Sequence, residues 1–230
     1  MKPFRIGVLG GIGPEATVEF YRKLIERLQR QGMIRQNSDY PHIIINSIPA
    51  PELIGETVSS GDLKMYVQGL RELDSMGVDI IVMVCNTIHL YLPQLQQEVK
   101  TPILNLPAHV QKTLHELGMK SIFILGTMNT ISQGLYSFAG YRTLVPSTEE
   151  LDQLMNCVFL FNQGTDKMKQ ANNVLKICEK YFEMGAESVL LGCTEFAVML
   201  EGTHFPCINT LDVLVKAVVE LYQLRREKID

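Results

Sequence analysis

Two cysteines stand at matching places in this chain. Cys85 lies in "GVDIIVMVCNT" (77–87) and Cys193 in "GAESVLLGCTE" (185–195). Each follows a short apolar run, at the same distance from a glycine (Gly77, Gly185) that closes a helical stretch. Each precedes a threonine, Thr87 or Thr194, where a turn or helix begins. The runs read as buried parallel strands, so both thiols fall at the C-terminal ends of strands, the edge where open parallel sheets bind ligands. Hydroxyl and backbone N–H groups at such a turn can hold an anion, and the positive end of a helix favours a thiolate. Two such thiols facing each other across a cleft form an opposed acid/base pair. One removes a proton from a carbon while the other delivers a proton to the opposite face, which inverts a stereocentre. A free thiol with a pKa of ~8.5 is mostly protonated at neutral pH. One of the pair is therefore expected to be lowered, by a helix terminus or by the ammonium group of a substrate. Cys157 and Cys178 in helical stretches and Cys207 in a strand read as small core residues.

The elements that must position these groups alternate along the chain. Strands are predicted at 5–9, 42–47, 80–84, 103–105, 121–125, 142–145, 188–191 and 207–209. Helices are predicted at 14–31, 62–76, 90–98, 108–117, 130–138, 151–162, 170–184 and 211–227, the last capped by Thr210 and carrying Leu214, Val218, Leu221 and Tyr222 on one stripe. Such alternation implies parallel sheets with right-handed crossovers. The chain also echoes itself. "RIGVLGGIG" (5–13) returns as "SIFILGTMN" (121–129), the two cysteine segments match, and "TPILN" (101–105) returns as "FPCIN" (205–209). Three echoes in one order predict two similar α/β domains related by a pseudo-twofold axis, with the active site in the cleft between them. The expected division is 1–104 plus 207–230 for the first domain, completed by the C-terminal helix, and 105–206 for the second.

"VLGGIGPEAT" (8–17) satisfies the G-x-G-x-x-G/A pattern of a dinucleotide loop through Gly11, Gly13 and Ala16. That fingerprint needs an acid at the end of the second strand to hold the ribose. Here the second strand ends "INSIP" (45–49), with no acid before Glu52. A loop whose N–H groups, at Gly11 and Gly13, face a small carboxylate fits better. Glu15 reads either as a polar contact in the site or as a first-turn acid favoured by the helix dipole. His89, four residues after Cys85, could tune the thiol, orient a substrate, or simply bond to backbone at a helix start. Glu195 reads as a helix N-terminal acid or as a hydrogen-bond partner in the site.

The chain of 230 residues is 46% hydrophobic and 20% charged, with a net charge of −4. That is an ordinary globular composition, and it points away from a nucleic-acid or membrane surface as partner. No apolar stretch approaches the ~20 residues of a membrane helix. The five cysteines are an odd number in a chain too large to need stapling, so reduced thiols and a cytoplasmic location are expected.

"CNTIH" (85–89) and "GCTE" (192–195) resemble the two signature motifs of the aspartate/glutamate racemase family. "GGIGPEAT" (10–17) is similar to that family's N-terminal glycine loop, and "ILGT" (124–127), with Thr127, to its mid-chain strand and turn. The resemblance covers essentially the whole chain. It implies a two-base racemisation of an amino acid with no cofactor and no metal, and a homodimer. By position, Cys85 and Cys193 would be the bases, and Asn86, Thr87 and Thr194 would hold the substrate's carboxylate and ammonium groups. Lys167 in "GTDKMK" (164–169) resembles a cationic contact to the substrate. Aspartate or glutamate is then the first-choice substrate. Residues 46–62, where a cation for an acidic side chain is expected, contain none, and a neutral amino acid is the alternative. Hydantoin racemisation, maleate isomerisation by a nucleophilic cysteine, and binding of an amino acid without catalysis are the other readings.

Overall fold

The structure, a computed structural model, describes residues 4–51, 53 and 61–227. Apolar β-rich runs form two parallel sheets. The first has the order β2-β1-β3, with β1 (Arg5–Gly10), β2 (His42–Ser47) and β3 (Ile80–Met83). The second has the order β5-β4-β6-β7, with β4 (Ser121–Gly126), β5 (Arg142–Leu144), β6 (Ser188–Gly192) and β7 (Cys207–Asn209). Around them stand α1 (Pro14–Arg30), α2 (Lys64–Ser75), α3 (Leu92–Gln96), α4 (Leu106–Glu116), α5 (Met128–Ser132), α6 (Thr148–Asn162), α7 (Lys167–Glu183), α8 (Thr194–Met199) and α9 (Thr210–Glu227).

The sequence echoes survive as strand register. Ile6 pairs with Ile80 in the first sheet, and their counterparts Ile122 and Ser188 pair in the second. Arg5 pairs with His42, and Ser121 with Arg142. Ile81 bridges Ile103 where Val189 pairs with Cys207. Each sheet therefore presents the end of its second echo, Cys85 or Cys193, at the same edge. The asparagines that end the third echo also act alike. Asn105 Oδ1 accepts from Ala108 N–H and Asn209 Oδ1 from Leu211 N–H, each opening the next helix.

Four expectations are corrected. Residues 207–209 do not complete the first domain: β7 hydrogen-bonds to β6 and extends the second sheet, and only α9 crosses back to pack on α1 and α4. Thr210 is not the cap of α9; its hydroxyl donates to the Leu191 carbonyl, and Asn209 caps. The helix expected at 90–98 begins instead as a tight 3₁₀ turn, Thr87–Tyr91, before the short α3. The helix expected at 130–138 is α5, which ends at Ser132 as the chain turns through Gly134 in a left-handed conformation.

One apolar core runs through both halves. Phe20, Leu24 and Leu28 of α1, Val110 and Leu114 of α4, and Leu214 and Val218 of α9 join the strand residues of both sheets in it. A second cluster, around Tyr66, Leu70 and Leu73 of α2, covers the other face of the first sheet. The helices α1, α4 and α9 thus lock the sheets together and fix the cleft. Leu214→Ala empties a fully buried position in this shared core. A loss of about 2–5 kcal/mol in urea unfolding is expected; a loss below about 1 kcal/mol would show that α9 is not part of the core.

Candidate active site

A cavity of about 290 Å³ opens between the strand ends of the two sheets. The first half lines it with Gly11–Glu15 and with Cys85, Asn86 and Thr87, and the second with Thr127, Cys193, Thr194 and Glu195. Cys85 lies just past β3, before the 3₁₀ turn, and Cys193 directly follows β6 as the residue before α8. Both thiols are buried and unpaired by disulfide.

The glycine loop lets the backbone approach this space closely. A Cβ on Gly11 (φ 84°) would sit 2.3 Å from the Ile48 carbonyl oxygen, and one on Gly13 (φ 61°) 2.8 Å from Glu195 Oε1. Both glycines line the cavity, but the Gly11 N–H does not face a ligand. It donates to Thr17 Oγ1 at 2.9 Å and holds α1 to β1. The carboxylate-facing role expected of that N–H is corrected accordingly.

Asn86 is held by a residue that the sequence does not single out. The Tyr136 hydroxyl, fully buried, donates to Asn86 Oδ1. Its ring lies against Gly192, where a Cβ would meet it at 3.2 Å. With Oδ1 fixed, Asn86 Nδ2 becomes the free donor, and it is buried with no partner among the described residues. Thr87 Oγ1 meets Thr127 Oγ1 at 3.0 Å and Thr130 Oγ1 at 3.2 Å. Thr127 also caps α5 by accepting from Thr130 N–H. These three buried hydroxyls stitch the two halves together at the floor of the cleft.

Glu195 acts as a hydrogen-bond partner. Its Oε2 accepts from Cys193 Sγ at 2.9 Å and from Thr194 Oγ1 at 3.1 Å. Burial and this carboxylate push the Cys193 thiol well above its ordinary pKa. Burial, with a smaller push from the Glu195 charge, raises Cys85 to about 12, against opposing pulls from the backbone N–H groups of Ile88 and Thr87. The expectation that one thiol is lowered is not met by the protein's own groups, because desolvation outweighs the N–H groups at these short turns. Replacing the carboxylate by an amide, Glu195→Gln in a Cys85→Ser background, should speed alkylation of Cys193 at fixed pH severalfold. An unchanged or slower rate would show that the carboxylate does not hold the thiol proton.

His89 is buried but does not line the cavity. Neither ring nitrogen has a well-aligned partner among the described residues. Burial lowers its pKa to about 4, against a smaller opposing effect of the Met83 carbonyl, so the ring is neutral. The unfolded chain binds a proton near pH 6.5 that the folded chain refuses until about pH 4. Its contribution to stability is thus full above pH 6.5 and is lost as the pH falls towards 4. Stability of the protein should drop over that window more steeply than that of His89→Gln; parallel curves would contradict the assignment.

Lys167 does not line the cavity either. At the start of α7, its Nζ pairs with Glu15 Oε1 at 2.5 Å and lies 4.6 Å from the centroid of the Phe161 ring. Glu15 lines the cavity mouth. Asn162, at the end of α6, and Ala50 and Leu53, beyond β2, complete the wall. None of these three carries a sequence signal: Asn162 reads as the last residue of a helix, and the others as loop. Glu52, the first acid after the second strand, and Glu56 lie outside the described residues.

This geometry has known counterparts. The chain belongs to the Asp/Glu/hydantoin racemase family, whose profile matches residues 9–218. It is an isomerase by that membership. It is 27% identical to the broad-specificity amino-acid racemase RacX of Bacillus subtilis, over 94% of this chain and 97% of that one. A solved aspartate racemase homologue from Pyrococcus horikoshii superposes with a TM-score of 0.75 at 26% identity, covering 95% of this chain and 99% of that one. The aspartate racemase of Picrophilus torridus shares the fold, with a TM-score of 0.79 at 24% identity, covering 96% and 94%.

Proposed function

We propose that this protein racemises a free α-amino acid without a cofactor, using Cys85 and Cys193 as its two bases. The observation that carries the reading is that both thiols line one cavity from register-matched positions, one at the end of each sheet. The substrate Cα would sit between them.

The α-proton of an amino acid is weakly acidic, and charge develops on the carboxylate as it leaves. The buried Asn86 Nδ2 is a fixed donor for that charge. Thr87 and Thr194 are the further polar groups beside it, although both hydroxyls are already engaged within the protein. The described wall of the cavity holds no lysine or arginine, and the substrate ammonium brings a positive charge that lowers the pKa of a neighbouring thiol. One thiolate takes the α-proton and becomes a thiol. The opposite thiol gives its proton to the other face and becomes the thiolate. The Glu195 carboxylate on Cys193 favours the protonated form of that thiol at rest, so Cys193 is the proton donor of the first turnover and Cys85 the acceptor.

The reading includes a homodimer, which rests on the family resemblance, and a cytoplasmic location, which rests on the composition and the cysteine count. Replacing either cysteine with alanine should reduce racemisation about 10²–10⁴-fold, the usual range for a positioned acid or base, while leaving the circular dichroism of the fold unchanged. Wild-type rates in Cys193→Ala would end the two-base reading.

A further inference from the structure

An acidic substrate side chain needs a cation, and the described wall of this cavity offers none. It holds two carboxylates instead, Glu195 at the thiol and Glu15 at the mouth. Residues 46–62 contain no lysine or arginine anywhere in their sequence. Among the described residues, the cation that meets this wall through an ion pair is Lys167, and Glu15 holds it.

Glu15 is placed there by the fold rather than by chance of rotamer. It is in the first turn of the 17-residue α1, directly after Pro14, where the positive helix end favours a carboxylate. Lys167 opens α7 from the other half, backed by the Phe161 ring. The pair therefore bridges the two halves at the entrance. Both side chains are nearly half exposed, 43% for Lys167 and 46% for Glu15, so the bond is exchangeable rather than locked. A substrate carboxylate that takes Lys167 must displace Glu15 and then share the mouth with it, like charge beside like charge. A cationic side chain gains little, because Lys167 neutralises Glu15 and repels it in turn. An uncharged side chain meets neither cost.

We propose that Glu15 sets the substrate class of this enzyme: by occupying Lys167 at the cavity mouth it selects uncharged amino acids, such as alanine or serine, over aspartate and glutamate. This rests on the racemase reading above and assigns its side-chain specificity.

The test compares kcat/KM for racemisation of alanine, serine, ornithine, aspartate and glutamate by the wild type, Glu15→Gln, and Glu15→Gln with Lys167→Gln. Both positions are exposed, and circular dichroism checks that the variants fold. The wild type should prefer alanine or serine. Glu15→Gln should raise the aspartate-to-serine ratio roughly tenfold, mainly through KM, as a freed ammonium meets the carboxylate. Adding Lys167→Gln should abolish that gain. A wild type that prefers aspartate, a ratio that Glu15→Gln leaves unchanged, or a preference for ornithine that Glu15→Gln removes would each overturn the proposal. If no amino acid is racemised at all, the racemase reading itself fails, and this one with it.

Discussion

Burial of two thiols at facing strand ends is the constraint around which the rest of this site is arranged. Desolvation holds both Cys85 and Cys193 above their ordinary pKa, and Glu195 adds to the effect on Cys193. A positive charge beside a thiol opposes that shift, and an α-amino acid carries one on its own ammonium group. On the proposed mechanism the substrate supplies the charge that activates its own base.

The fold serves that constraint by repetition and by locking. Repetition puts a cysteine past the end of β3 and of β6, before a 3₁₀ turn in one half and before α8 in the other, so that each half offers a thiol from an equivalent position. Locking comes from one core through both halves, from α9 lying over α1 and α4, and from the Thr87–Thr127–Thr130 cluster at the floor. Two opposed proton-transfer groups must hold their positions to a fraction of an ångström, and a hinge with a separate core on each side would not provide that. The symmetry is also broken where chemistry needs it broken. Glu195 raises both thiols, but it accepts a hydrogen bond from Cys193 alone, so the two thiols are held unequally.

Much of this was legible in the sequence, for a physical reason. Register in a parallel sheet is carried by apolar runs and by the glycines that bound them. Three ordered echoes therefore predicted the two sheets and the equivalent places of Cys85 and Cys193, the family resemblance singled out Asn86 and Thr127, and all four line one cavity with Thr87 and Thr194. Where single residues decide, the sequence was silent. A strand of three residues such as β7 pairs with whichever edge is nearest, and its composition does not say which. Tyr136 reads as an ordinary helical aromatic until the fold sets it on Asn86. The Gly11 N–H looked available until Thr17 took it. Lys167 and Glu15 lie far apart in sequence, and only the closed cleft shows that each is the other's partner.

The central claim is that two groups, on opposite faces, exchange different protons. The most direct measurement follows the α-position during the first few per cent of conversion of one enantiomer of a racemised amino acid in heavy water, by chiral separation and mass spectrometry. Two opposed thiols predict that the newly formed enantiomer carries solvent deuterium at Cα while the remaining substrate still carries hydrogen. New enantiomer that retains the original α-hydrogen would mean that one group had carried the same proton from face to face, and would contradict the account.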